Sequence, residues 1–465
     1  MTFLTIDPGS VLGLTEEEAG ILQDLLEIYS AHQIRNEEKQ RYYEGKISLG
    51  SVNLGLALPK GMAGLEVGCA WGAKCVDVLA ARSMFDGFVD MNGMDVPEIN
   101  QLVRDNNLLS EYMKAAKDEL KFGCTFATMS KDDKIGCKIR FHSPQTSAAR
   151  WDGNKGRIAY GMAIINVAPL NDQPGVIMPS TIYLYLSDEI IVLLRLDDST
   201  WVADHFPHEM GRPLMEPLVW SATSAKPLGR SRIKEPVRRL IDGYVRTIAD
   251  ASIGLEFATA PQKYLLGVTE DQFDKLTGEK FQQYVGNIIA ATTNPETGEK
   301  PTFGQLSQGN ISPHVEMIRV LATQFSAATG LPVTDTGVVN DANPTSSDAI
   351  LAQTQTLVSM AEELNAGNGN ALRTIALMAL AISRDETLED LSDADKDIMA
   401  HFRNPAMPSV AATADAAIKI ASSRQGFAAT DTFLEMIGFD QADIRRIKAQ
   451  EQLARGRQTL QELNI

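Results

Sequence analysis

Ile21, Leu25, Ile28 and His32 recur at the spacing of one helix face, and Thr15 with Glu18 makes a capping-box pattern ahead of them. The spacing predicts a helix over 15–40. The charged run Arg35-Asn36-Glu37-Glu38-Lys39 leads from it to a stop at Gly45, the residue type that best tolerates a left-handed C-terminal turn. Residues 58–120 read as mixed, mainly helical sequence with glycine-rich breaks. From about 121 to 220 the apolar period changes to two. Cys137 to Phe141 alternates, and Ile182–Leu186, Ile190–Leu194 and Trp201–Ala203 are β-rich runs. Ser187-Asp188-Glu189 and Asp197-Asp198-Ser199 supply turns between them. The pattern predicts a half-buried antiparallel meander that Pro213, Pro217 and Pro227 end.

Helical spacing returns after Ser231. Glu235-Pro236 suits a first turn, where proline lacks no needed donor, and Ile233, Val237, Leu240, Ile241, Tyr244, Val245 and Ile248 form an apolar stripe to about Glu256. Residues 259–311 read as a small inserted α+β module, with strand-like pieces at Tyr264–Val268 and Asn287–Thr293 and a turn from Asn294 through Pro295 and Glu296 to Gly298. Ser312-Pro313 is a cap and first-turn proline for a second helix, whose apolar positions are Val315, Ile318, Ala322 and Phe325. Gly330 and Leu331-Pro332 stop it, and 333–344 read as a polar loop. A third helix is expected from Thr345-Ser346-Ser347-Asp348 to about Ile382. If continuous it would span ~57 Å, with a kink expected at Ala366-Gly367-Asn368-Gly369. An acidic segment from Asp385 to Asp397 and alanine-rich helices follow.

Composition narrows the function more than the fold. The 465 residues suffice for about three cores of ~150 residues each. With 44% apolar and 22% charged residues the chain is globular and not disordered. No run of ~18 apolar residues is present to span a membrane, and the first residues lack the basic start and apolar stretch of a secretory signal. Cys69, Cys75, Cys124 and Cys137 show no C-x-x-C pair and read as reduced thiols. A net charge of −17 argues against a protein that grips nucleic acid through lysine and arginine. No G-x-x-x-x-G-K-S/T, G-x-G-x-x-G, H-E-x-x-H or G-x-S-x-G occurs. His205 and His208 have a metal-like spacing, but Pro207 between them prevents a helix and no third ligand is near in sequence, so a turn surface is expected. No enzyme, metal or cofactor is expected from these residues. One stretch stands out: the 53 residues from Val320 to Leu372 hold no lysine or arginine, while Asp335, Asp341, Asp348, Glu362 and Glu363 are acidic. Such a surface would repel phosphates.

The order of elements, and several short motifs in that order, resemble the portal proteins of tailed bacteriophages with long, non-contractile tails. The motifs are Tyr42-Tyr43-Glu44-Gly45, Pro227-Leu228-Gly229-Arg230-Ser231-Arg232-Ile233, Ala260-Pro261-Gln262-Lys263-Tyr264-Leu265-Leu266-Gly267, Thr329-Gly330-Leu331-Pro332 followed by Asn343-Pro344-Thr345-Ser346-Ser347-Asp348-Ala349-Ile350, and Arg403-Asn404-Pro405 with Pro408-Ser409. Singly each is weak; in sequence they are specific.

The resemblance implies an α+β portal fold and a ring of about twelve identical subunits at one capsid vertex. It implies a wing (1–225, with a return at 398–425), a stem (226–258 and 312–330) and a clip (259–311). A tunnel loop (331–344), a long wing helix with an acidic segment (345–397) and a helical crown (426–465) complete it. Ile233, Val237, Leu240, Tyr244, Val315, Ile318 and Phe325 would build the stem, and Tyr264, Leu266, Asn294 and Glu296 belong to the clip. Val333, Thr334, Asp335, Thr336, Asn340, Asp341 and Asn343 would be the tunnel loop nearest double-stranded DNA. The implied partners are further copies of the chain, the terminase large subunit, the major capsid and scaffolding proteins, and a head-completion or adaptor protein. Because one apolar stripe cannot bury itself, neighbouring subunits are expected to cover the stem helices. Two other readings remain open at this point: another virion component such as an adaptor or minor capsid protein, and an α+β enzyme whose site is assembled from scattered residues.

Overall fold

The Thr15 capping box forms as its residues require: Thr15 Oγ1 accepts the Glu18 amide at 3.3 Å, and the Thr15 amide donates to Glu18 Oε2 at 2.7 Å. It opens helix α1 (Glu16–Glu44), which ends at Gly45 with φ 70°, so the charged run is helical and the helix is longer than 15–40. The structure is a computed structural model that describes residues 6–48, 66–169, 177–197, 200–259, 263–266, 298, 300, 302–305, 310–338, 347–406, 410–424, 426–439 and 441–462.

After α1 come β1 (Lys46–Ser48), β2 (Glu66–Gly68), α2 (Trp71–Ala80), β3 (Phe85–Val89), α3 (Pro97–Asp105) and α4 (Leu108–Phe122). The mainly helical reading of 58–120 therefore missed two strands. Three strands follow the sequence texture closely: β4 (Cys124–Asp132), β5 (Gly136–His142) and β6 (Ser147–Asp152). The sequence continues through β7 (Arg157–Pro169), β8 (Ile177–Tyr185), β9 (Glu189–Arg195), β10 (Trp201–Pro207) and β11 (Met215–Val219). The meander is a five-stranded sheet of order β10-β9-β8-β7-β6, with a separate three-stranded sheet of order β11-β4-β5. Pro217 does not end the β region: it lies inside β11, opposite Phe126. As β11 is an edge strand, its proline removes no ladder bond.

The second half holds α5 (Glu235–Thr259), β12 (Lys263–Leu266), β13 (Thr302–Gln305), α6 (Ser312–Thr329) and α7 (Ser347–Arg384). It ends in α8 (Asp393–Lys396), β14 (Met399–Phe402), α9 (Val410–Ser423), α10 (Asp431–Ile437) and α11 (Gln441–Glu462). β14 pairs antiparallel with β3, across some three hundred residues of chain. The expected strand at Asn287–Thr293 and the start of the third helix at Thr345-Ser346 lie outside the described residues.

Apolar side chains bury in three clusters. Leu22, Leu25 and Leu26 seat α1 on Ile182, Leu184, Ile191 and Leu193 of the large sheet. Phe85, Phe88, Tyr112, Phe126 and Met129 join the small sheet to the C-terminal half of α7. The third gathers Trp71, Ile233, Ile241, Phe325, Leu331 and Leu357 from α2, α5, α6 and α7.

Helix α7 is one element of 38 residues, about 57 Å long. The helix runs unbroken through Gly367-Asn368-Gly369, and those residues are a contact surface. A Cβ on Gly369 would meet Phe402 at 3.6 Å, and Asn368 is fully buried. Its Nδ2 donates to Glu119 Oε2 at 2.7 Å and to Tyr112 Oη at 3.0 Å, while Tyr112 Oη and Ser83 Oγ lie 2.6 Å apart. Burial pushes the Glu119 carboxyl up to about 8.

Gly72 shows how tightly α1 and α2 meet. A Cβ there would lie 2.0 Å from the Tyr42 carbonyl oxygen, which is backbone and cannot rotate aside. Gly72→Ala is expected to cost about 2–3 kcal/mol in urea unfolding; a cost under about 0.5 kcal/mol would show that the helices slide freely.

Candidate functional site

The candidate site is the base of the α5–α6 helix pair, where the chain passes into Val333–Thr336. The apolar stripe of α5 is satisfied within the chain: Ile233, Val237, Ile241 and Val245 are buried, with Leu240 and Tyr244 partly so. This corrects the expectation that a neighbouring subunit must cover it. Gly243 lets α6 come close, since a Cβ there would lie 3.2 Å from Leu321 Cδ2. On α6, Phe325 is buried with Leu321 and Ala322. Ile318 is half-buried, whereas Val315, Met317 and Val320 are 45, 47 and 49% exposed. Val315 is therefore not a core position of this chain. Nor does Ser312 cap the helix by its side chain: the Ser312 amide is bonded to Asn310 Oδ1 at 2.9 Å.

Two residues that the sequence reading passed over hold the junction. Trp71, at the first position of α2, stacks on Tyr244 at 4.5 Å and on Phe325 at 4.8 Å between ring centroids. Its Nε1 donates to the Thr336 carbonyl at 3.1 Å. Arg232 is buried, with no carboxylate partner among the described residues. Its Nη2 donates to the Thr329 carbonyl in the last turn of α6 at 2.7 Å, its Nε to the Cys75 carbonyl at 2.5 Å, and its guanidinium lies over the Trp220 ring. A cation at a helix C-terminus is favoured by the helix dipole, which offsets part of the desolvation that lowers its affinity for the proton. Gly330 at φ 71° then turns the chain.

Val333, Thr334, Asp335 and Thr336 form one turn of 3-10 helix, not an open loop. Leu331 and Pro332 are buried ahead of it, and Val338 packs on the Trp71 cluster behind it. Thr334 is exposed and Asp335 half-buried, so the polar edge faces outward while the apolar residues anchor it. Asn340, Asp341 and Asn343 lie outside the described residues, as do Asn294 and Glu296. Tyr264 pairs with Gly304 in a two-stranded ladder, and Leu266 on the same strand is exposed.

Tyr42-Tyr43 acquire structural roles. Tyr42 Oη donates to Asp242 Oδ1 at 2.8 Å and Tyr43 Oη to Asp77 Oδ1 at 3.0 Å, tying the end of α1 to α5 and α2. His205 lies within β10 and not past it. Its Nδ1 meets Glu189 Oε2 at 2.9 Å and its Nε2 the Gly13 carbonyl at 3.0 Å, with Glu18 nearby. The Glu189 contact, then Gly13, raises its pKa, whereas burial lowers that of His208. The two histidines share no partner in these contacts. All four cysteines are buried and unpaired with one another.

The family model described as phage portal protein, SPP1 Gp6-like, matches residues 22–456. The chain belongs to that portal family. A portal protein of Mycobacterium phage D29 is 26% identical over 438 residues, covering 90% of this chain and 86% of the relative. A portal protein of Mycobacterium phage L5 is 26% identical over 389 residues, covering 80% and 76%. A chain in the virion of a native gene transfer agent particle aligns at 11% identity with a TM-score of 0.46, over 79% of this chain and 89% of that one. A chain in the neck of a native gene transfer agent particle, computed with C12 symmetry, aligns at 12% identity with a TM-score of 0.44, over 79% and 89%. Membership of a portal family makes this chain a structural component of a virion. Among the described residues no helix is long and apolar enough to cross a membrane.

Proposed function

We propose that this portal-family chain is one of about twelve identical subunits in a ring at a single capsid vertex. The ring channel would pass double-stranded DNA inward during packaging and outward during ejection. The observation that carries the reading is the family match across 22–456. In this reading 1–225 and 398–425 form the wing, contacting the major capsid and scaffolding proteins. Segments 226–258 and 312–330 form the stem. The clip at 259–311 docks the terminase large subunit and later a head-completion protein. Residues 331–344 form the tunnel loop, 345–397 the long wing helix and acidic segment, and 426–465 the crown. The ring assembles in the host cytoplasm.

Two features of the chain support the ring. Val315, Met317 and Val320 are apolar and exposed on the stem helix α6, Met317 and Val320 on one side and Val315 on another, and neighbouring copies on the two sides would cover them. The segment Val320–Leu372, free of lysine and arginine, suits a channel that must bind no DNA sequence tightly. Negative-stain imaging of the purified chain is expected to show rings with a central hole. Only monomers or small closed oligomers would overturn the reading. Asp335→Lys and Asp341→Lys are expected to shorten the packaged genome without stopping ring assembly. Genomes of normal length in both variants would remove the loop from the channel.

A further inference from the structure

This acidic chain carries a basic cavity at the start of α5. A cavity of about 600 Å³ opens between α1, the start of β4, β6 and the connection that leads into α5. Arg35, Lys39, Lys226, Arg230, Lys234 and Arg238 line it, and no aspartate or glutamate does. In a chain of net charge −17 that is a marked concentration of positive charge.

Two of the six cations have partners in the fold. Lys39 Nζ donates to the Phe122 carbonyl at 3.1 Å, and Arg238 donates to the Ile233 carbonyl at 3.2 Å and lies 3.5 Å from Glu38. Arg35, Lys226, Arg230 and Lys234 are exposed, and none forms an ion pair among the described residues. The cations also work against one another. Burial first, then Arg35 and Lys39, lowers the pKa of His32, and burial together with Arg238 and Arg35 lowers that of Lys39. An anion placed among Arg35, Lys226, Arg230 and Lys234 would relieve their mutual repulsion.

The floor of the cavity decides which anion. Ile28, Trp151 and Leu228 line the cavity together with the cations, over the nearly buried Phe122 and Phe126. The backbone of a duplex presents phosphates to such cations but no bulky apolar group to the apolar lining. A central apolar pocket ringed by polar groups is the arrangement of a protein-binding hot spot. Its volume suits one or two bulky side chains. We propose that this cavity docks an acidic segment of another protein. One bulky apolar side chain of that segment sits against Trp151 and Leu228, and its carboxylates pair with Arg35, Arg230 and Lys234. The proposal stands on the cavity alone and does not depend on the ring.

The test uses the full chain and a fluorescent peptide of about twelve residues, rich in aspartate and glutamate around a central tryptophan. Anisotropy is expected to show saturable binding, weakened at least about tenfold when the acids become their amides, and about tenfold when tryptophan becomes alanine. The triple variant R35Q/R230Q/K234Q is expected to lose at least about tenfold while melting with the wild type, since all three side chains are exposed. R230Q alone gives the same reading, at smaller size, should the triple variant melt early. Equal binding by the charge variants, or no saturable binding by wild type, overturns the proposal. So does tighter binding of an oligonucleotide of equal charge with the same arginine dependence, which would make the cavity a nucleic-acid site. A change in sedimentation caused by the charge substitutions, without peptide, would instead assign it to contact between copies of the chain and overturn docking of a separate protein.

Discussion

Trp71→Ala is expected to lower the free energy of unfolding by about 3–5 kcal/mol, the range for truncating a buried aromatic residue. The ring touches both helices of the pair through Tyr244 and Phe325, so its loss leaves a void that neither helix can fill alone. A second variant separates packing from hydrogen bonding. Trp71→Phe keeps most of the apolar ring but removes the indole N–H that the Thr336 carbonyl accepts. That substitution is expected to cost about 1–2 kcal/mol. It should also raise amide hydrogen exchange in 333–337 while α5 and α6 keep their protection. Urea unfolding checks the first number and exchange the second. A loss under about 1 kcal/mol for Trp71→Ala would mean that the pair is held elsewhere.

That prediction joins stability to the proposed role. Arg232 grips the last turn of α6 and Trp71 grips the turn after it, so the polar edge of Val333–Thr336 is presented from a fixed base. In the proposed tunnel-loop role such a base would keep the side chains from folding away from passing phosphates. The covalent path from α5 to α6 runs through some fifty residues, yet the junction is closed by Trp71 of α2, which lies far off in sequence.

Sequence alone revealed what local physics dictates. Thr15 with Glu18, Gly45 and Gly330 each did what their residue types require within one turn of chain. The strands from Cys137 to Ala203 followed their alternation, and the stripe on α5 marked its buried face correctly. What stayed hidden depends on partners distant in the chain. The β3–β14 pairing joins Phe85 to Phe402, and no pattern in either short segment announces the other. Pro217 is tolerated only because β11 has a single neighbour, a fact of sheet order and not of local sequence. Glycine at 367 and 369 weakens an isolated helix, but the helix runs through both positions, where contacts with β14 and α4 offset that propensity. The stem stripe was assigned to a neighbouring subunit because nothing in the sequence near Trp71 shows that this ring completes the burial. Of the candidate site, the Gly330–Pro332 stop was legible, while Trp71 and Arg232 were not.

Glu119→Gln is expected to stabilise the protein, increasingly so as pH rises. Glu119 is fully buried beside Asn368, Tyr112 and Cys124, and burial holds its folded pKa up at about 8 against an ordinary value near 4.5. Between those values the folded chain keeps the proton while the unfolded chain releases it. The unfolded state thus binds fewer protons, and stability falls as pH rises from about 4.5 to about 8, then levels off. Glutamine cannot ionise, so the variant loses this slope. The two proteins should unfold with nearly equal free energy near pH 4.5, and the variant should lead by about 2–4 kcal/mol at pH 8. The glutamine amide has nearly the shape of the protonated carboxyl and keeps an oxygen to accept from Asn368 Nδ2, so the core need not open. Urea unfolding at several pH values between 4.5 and 8.5 reads the effect directly. Parallel pH profiles for wild type and variant would show that Glu119 is already solvated, and with it that α4 and α7 do not close over the carboxyl.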